Sequence, residues 1–270
     1  MSQIDLSGQK IVITGKFSGT SRKELSATLK ELGAQVPGSV SKKTSALVAG
    51  YDAGSKWRKA HAAGVPVLNH RQLQAILDGE KSFEEVTRLA KTFYTYESTR
   101  AEEGQEVDHY NQMGGTPPGF DGSRWPSKNR HLATLDIPTI PALQLLYPEY
   151  RTVSVFAHKD VDMYGLGYGR KCHVIFTTQA QIDKHGVQQP KNALKPFGKE
   201  ILEIITHTWE TWEELEDQSA YGYSRILGPP CWLQGEDDPD GFIMQTGEEL
   251  GIPGDGLLYV FESGLYAQVT

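Results

Sequence analysis

Residues 10–15 read Lys-Ile-Val-Ile-Thr-Gly, and no other stretch restricts the fold as strongly. Three consecutive β-branched apolar residues leave no polar alternate to face water. Such a strand is expected to be buried on both faces, as strands of parallel sheets are. The chain beyond it follows the same logic. Thr20-Ser21 can cap a helix over 22–32, where Leu25, Leu29 and Leu32 recur at helical spacing before Gly33 stops it. Gln35-Val36 and residues 46–49 read as short strands. Ser55 opens a second helix that ends at Gly64, residues 65–68 form a further strand, and Asn69 caps a helix over 71–77. This alternation predicts an α/β unit, a four-stranded parallel sheet with three helices.

Small hydroxyls, glycines and cations gather where these strands hand over to helices. Thr14 and Gly15 end the first strand, Arg22 opens the first helix, and Lys56 follows Gly54-Ser at the start of the second. A hydroxyl, a closely approachable backbone N–H and two fixed charges are what a phosphate site needs, and a helix N-terminus adds its dipole. Lys42 and Lys43, in the basic loop 39–44, are candidates for contacts to a nucleic-acid backbone. Charge supports this placement. Residues 1–80 carry eleven Lys and Arg against six Asp and Glu, so the remainder holds −12 of a whole-chain −7. A basic front and an acidic back imply two units with different partners.

Residues 6–78 resemble a BRCT domain of the type found in bacterial NAD-dependent DNA ligases and the large subunit of replication factor C. The matching segments are Ile13-Thr-Gly15, Ser21-Arg22, Leu32-Gly33-Ala34, residues 39–44, Leu47-Val-Ala-Gly50, Gly54-Ser-Lys56, Lys59-Ala60 and Gly64-Val65. In domains of this type the residues at the positions of Thr14, Gly15, Arg22 and Lys56 surround a phosphate. The resemblance therefore implies DNA with 5′-phosphate ends, or a protein, as partner. Leu73 stands where many BRCT domains carry a core Trp, and only one copy is present, whereas the tandem phosphopeptide-reading arrangement needs two.

Residues 82–90 read as a short helix and residues 95–108 are polar, with glutamates at 102, 103 and 106; the stretch 81–105 is expected to be a linker between a 1–80 domain and a 106–270 domain. From Tyr110 onward short apolar runs alternate with Gly, Pro and Asp clusters. Strands are expected at 132–137, 152–157, 173–177, 201–208, 232–234, 242–245 and 257–261, with a short acidic helix at 210–216. This gives a larger β-rich α+β domain. Gly228-Pro-Pro-Cys-Trp-Leu-Gln234, Phe242-Ile-Met-Gln245 and Gly254-Asp-Gly-Leu-Leu-Tyr-Val-Phe261 are similar to the C-terminal signature of YwqG-like domains. Gly114-Gly-Thr-Pro117, Trp125-Pro126 and residues 132–136 are similar to their N-terminal signature. That resemblance implies a fold and no activity.

No catalytic set or metal site is expected. Cys172-His173 are neighbours on a strand and face opposite sides. His207 reads as a sheet histidine. Glu236-Asp-Asp-Pro-Asp240 lacks the ligand period of a calcium loop, and Gly165-Leu-Gly-Tyr-Gly169 lacks a βαβ setting. Trp209, Trp212, Tyr221 and Tyr223 line a groove or a core. Two cysteines, no membrane-length apolar run and no signal-like N-terminus suggest a reduced cytoplasmic protein. The expected function is a non-enzymatic adaptor without cofactor. The alternatives are an enzyme recruited to DNA by its front domain and an immunity-type protein that neutralises a toxin.

Overall fold

A computed structural model describes residues 4–51, 53–160, 172–191, 193–195, 197–210, 224–228, 241–246 and 256–269. The chain forms two compact units, Met1–Phe93 with His207–Ala220, and Tyr94–Thr206 with Tyr221–Thr270.

In the first unit, β1 (Ile11–Thr14), β2 (Ala46–Ala49) and β3 (Val67–Leu68) make a parallel sheet in the order β1-β2-β3. Val12 lies opposite Leu47, and Leu47 opposite Val67. Every residue of β1 is buried, as its unbroken apolar run requires. The connecting helices are α1 (Arg22–Glu31), α2 (Ser55–Ala62) and α3 (His70–Leu77). Ser21 with Glu24, and Asn69 with Gln72, form reciprocal capping boxes that satisfy the first amides of α1 and α3. Val12, Leu47, Ala60 and Val65 pack into one apolar cluster.

The sheet has three strands among the described residues, not the four expected. Gln35 makes a single bridge to Lys10, donating its N–H to the Gln9 carbonyl and accepting from the Ile11 N–H, both at 2.9 Å. The next rung of a parallel ladder needs the N–H of residue 37, and Pro37 has none.

The stretch 81–105 contains α4 (Phe83–Ala90), where a short helix was expected at 82–90, and β4 (Thr92–Arg100), which was not. Ser82 caps α4, and Val86, Leu89, Phe93 and Tyr94 are buried. Residues 97–100 are exposed and belong to the polar stretch 95–108 on which the linker expectation rested.

Residues 207–210 return to the first unit from far along the sequence. His207 stacks on Phe93 at 5.0 Å. Trp209, 1% exposed, meets the His61 ring edge-on at 5.7 Å, and His61 meets Trp57 at 4.3 Å. The Trp209 backbone N–H donates to the Lys91 carbonyl at 3.1 Å. The Lys91 ammonium lies 5.3 Å from the Trp209 ring centroid and 2.9 Å from the Glu210 carboxylate. Gly64 is confined to glycine by this closure: its φ is +65°, and a Cβ would strike the Glu210 carbonyl.

The second unit is dominated by β4 with β5 (Gln112–Met113), β6 (Asn129–Asp136), β7 (Thr152–His158), β8 (Cys172–Thr177), β9 (Glu200–Thr208), β10 (Arg225–Ile226), β11 (Phe242–Thr246), β12 (Gly256–Phe261) and β13 (Gly264–Val269). They form a ten-stranded sheet in the order β13-β12-β11-β10-β4-β9-β5-β6-β7-β8. Its registered pairs are antiparallel. The outermost strands β13 and β8 approach each other, so the sheet curls nearly into a barrel. The helices α5 (Pro141–Leu146) and α6 (Gln179–His185) were not anticipated, nor were β4, β5, β10 and β13. Inside, Phe120, Trp125 and Phe156 pack together, with the Phe120 and Phe156 centroids 5.0 Å apart. The expected strand 232–234 and nearly all of the expected helix 210–216 lie outside the described residues. Among the described residues no helix is long and apolar enough to cross a membrane.

Candidate functional site

The C-terminal ends of β1 and β2 are stitched together by backbone bonds. The Gly50 N–H donates to the Thr14 carbonyl at 3.0 Å, and Lys16 and Tyr51 exchange N–H to carbonyl bonds of 2.7 and 2.9 Å. Gly15 sits inside this crossing with φ +80°. A Cβ there would lie 2.5 Å from the Gly50 carbonyl oxygen and 2.7 Å from that of Tyr51. Only glycine lets the two segments approach so closely.

The Thr14 side chain joins this corner to α2. Its hydroxyl donates to the Ala53 carbonyl at 2.9 Å and is buried. Thr14 therefore fixes the chain that enters α2; to donate to an anion the hydroxyl would have to turn away from Ala53. The start of α2 is the open feature. Gly54, its N-cap, offers no side chain to the first amides, and the first turn holds no acidic residue. Lys56 stands there half-buried. An uncapped helix start with a cation in its first turn favours an anion. The start of α1 differs: the Ser21 hydroxyl already accepts from the Glu24 N–H, and the Glu24 carboxylate in the first turn opposes negative charge.

Arg22 is exposed on the first turn of α1 and lines an open groove of about 560 Å³ with Ile13, Lys23, Ser26 and Pro37. The groove opens where Pro37 ends the strand ladder. Lys42 and Lys43 lie elsewhere. Their loop leads into β2, where Ser45 donates to the Lys10 carbonyl at 2.8 Å and accepts from the Lys10 N–H at 3.0 Å. They are at the N-terminal end of the sheet, about 13 Å of strand away from Thr14. The structure thus brings together Thr14, Gly15 and the Lys56 turn, sets Arg22 in the groove bordered by β1, and leaves Lys42 and Lys43 apart. Among the described residues none of Arg22, Lys42, Lys43 or Lys56 forms an ion pair. Sequence reasoning missed Tyr51, which is 60% exposed beside Gly15; an aromatic directly after the Leu-Val-Ala-Gly run was the signal.

In the second unit several polar groups are buried among the described residues. His131 is fully buried, with Nδ1 2.8 Å from the Gly114 carbonyl oxygen and Nε2 2.8 Å from the Thr134 hydroxyl, which contacts Ser154 at 2.8 Å. Burial holds the His131 pKa down to about 4. Asp136 accepts from Arg151 at 2.7 Å and from the Tyr110 N–H at 3.1 Å, with burial pushing its pKa up. Cys172 is buried and its thiol is pushed up to about 11 by burial, while His173 is exposed on the other face. Among the described residues no group of three His, Cys, Asp or Glu could hold a metal ion. Gly165–Gly169, Trp212, Tyr221, Tyr223, Cys231 and the 236–240 cluster lie outside the described residues.

A profile of the BRCA1 C Terminus (BRCT) domain matches residues 2–77. The DNA ligase of Alkalilimnicola ehrlichii is 56% identical over 72 residues, 27% of this chain and 11% of that protein. The DNA ligase of Levilactobacillus brevis is 46% identical over 80 residues, 30% of this chain and 12% of that one. The chain thus spans about a tenth of the length of the curated relatives it matches. A solution structure of the first BRCT domain of DNA-repair protein XRCC1 is 18% identical, with a TM-score of 0.25, over 29% of this chain and 60% of that one. The first unit, whose sheet, helices and Gly15 corner are described above, therefore contains an N-terminal BRCT domain matching that of bacterial DNA ligases.

Proposed function

We propose that the first unit binds phosphate-bearing DNA ends through Gly15, Lys56 and Arg22, with Thr14 holding the corner and Lys42 and Lys43 touching the nucleic-acid backbone farther along. BRCT domains mediate DNA or protein binding in repair proteins. The observation that carries the DNA-end reading is the start of α2. It is uncapped, lacks acidic residues, carries Lys56, and is tied by Thr14 and Ala53 to the glycine corner at the C-terminal end of a parallel sheet. Ligands of open α/β sheets bind at that end. The second unit, with its YwqG-like segments, is a binding domain for a separate ligand or protein in this reading, and the whole chain is a cytoplasmic adaptor rather than an enzyme. The ligases it resembles match it only over the BRCT portion.

The test is fluorescence anisotropy on the full chain with one duplex in two forms, with and without a 5′-phosphate. A charge-assisted bond is worth roughly 1.5–3 kcal/mol, so Lys56→Ala and Arg22→Ala should each weaken the phosphorylated duplex at least about tenfold and erase the preference. Lys43→Ala should weaken both forms alike. Equal affinity for the two forms at about 0.15 M salt, unchanged by Lys56→Ala, would reject the DNA-end reading and leave a protein as the partner.

A further inference from the structure

We propose that Tyr51 is a stacking platform for the base at the phosphate-bearing end of the DNA. The proposal rests on the phosphate reading above and adds to it a residue that reads the nucleotide rather than the charge. Tyr51 is 60% exposed, the most exposed large hydrophobic side chain among the described residues, ahead of Val187 and Ile205. Its ring has no aromatic partner among the described residues. Single exposed apolar residues are common and need no role by themselves. The surroundings of Tyr51 set it apart.

Its backbone is held on both sides by the paired bonds to Lys16, 2.7 and 2.9 Å long. Its carbonyl lies against Gly15, within 2.7 Å of where a Cβ on that glycine would be. The ring is therefore carried on a fixed piece of backbone just past the end of β2, the central strand, beside the glycine corner. Two residues after Tyr51 the Ala53 carbonyl anchors Thr14, and Lys56, Arg58 and Lys59 follow on α2. A rigid exposed aromatic next to a cationic anion site is the combination that grips nucleic-acid ends. The cations hold the phosphate, and the ring face takes the adjoining base with little regard to its identity. A phosphorylated peptide would use the cations but has no base to lay on the ring.

The experiment compares three ends on the full chain: a 5′-phosphorylated duplex, the same duplex without the phosphate, and a phosphorylated duplex whose terminal 5′ nucleotide is abasic. Wild type should bind the abasic end about tenfold more weakly than the intact one. Tyr51→Ala should lose about that factor on the intact end, bind intact and abasic ends alike, and keep its preference for the phosphate. Tyr51→Phe should behave as wild type, since it keeps the ring face. If Tyr51→Ala binds the intact phosphorylated end as wild type does, while Lys56→Ala still abolishes the preference, Tyr51 has no such role and the phosphate reading stands. If wild type shows no preference for phosphate, both fall. Weakening of a phosphopeptide by Tyr51→Ala equal to that of the DNA end would also overturn the base assignment. Circular dichroism confirms folding of the variants.

Discussion

Gly15 and Gly19 share a φ of +80° but are constrained differently. At Gly19 an added Cβ meets nothing within 4 Å, so alanine there costs only the backbone strain, about 1–2 kcal/mol. At Gly15 the same strain is joined by a collision with two carbonyl groups that are themselves locked in the Lys16–Tyr51 crossing. Because backbone cannot rotate away as a side chain does, Gly15→Ala should cost about 2–4 kcal/mol. Urea unfolding of the two variants measures the difference, and equal midpoints would show that the corner is looser than described. The Thr14-Gly15 pair was legible in the sequence because it ended a β-branched run. The direction of the Thr14 hydroxyl was not, since its acceptor, Ala53, lies 39 residues away and is a backbone carbonyl that any residue supplies.

At the scale of elements, α2 is held at two places. Its entry is fixed by Thr14, and its middle by the Trp57, His61 and Trp209 rings. Removing a buried indole leaves a cavity that the neighbours only partly fill, so Trp209→Ala should destabilise the first unit by about 3–5 kcal/mol. Hydrogen exchange should then accelerate at the hydrogen-bonded amides of α2 from Lys59 onward, while α6 keeps its protection. Unchanged exchange in α2 would show that residues 207–210 lie on the unit without supporting it. The same elements show how pattern can mislead. Pro37 was visible in the sequence, but its cost to the sheet depended on facing Ile11. β4 reads as polar because its second half is exposed, whereas its buried Phe93 and Tyr94 are too short a run to mark a strand by themselves.

Across the molecule, each unit buries a histidine whose pKa burial lowers, His61 to about 3 and His131 to about 4. Both are neutral in the fold, while the unfolded chain takes up protons near 6.5. Stability from these sites is full above pH 6.5 and is lost as pH falls through the window down to the folded values, at about 1.4 kcal/mol per pH unit for each. Asp136, with its pKa raised by burial, acts in the opposite sense. The urea midpoint should drop between pH 6.5 and 4.5, and His131→Gln should flatten the part belonging to the second unit; a level midpoint in wild type would contradict this. What the sequence by itself determined is local. Apolar period, caps and glycine stops placed β1 and α1 to α3, and the hand-over residues Thr14, Gly15, Arg22 and Lys56 followed from them, because each such signal acts within a few residues. What only the tertiary structure decided is long-range. Trp209 joining His61, β4 lying between β10 and β9, the ten-stranded curl, and the separation of Lys42 and Lys43 from Gly15 all depend on partners distant in sequence, and no local spacing encodes those partners.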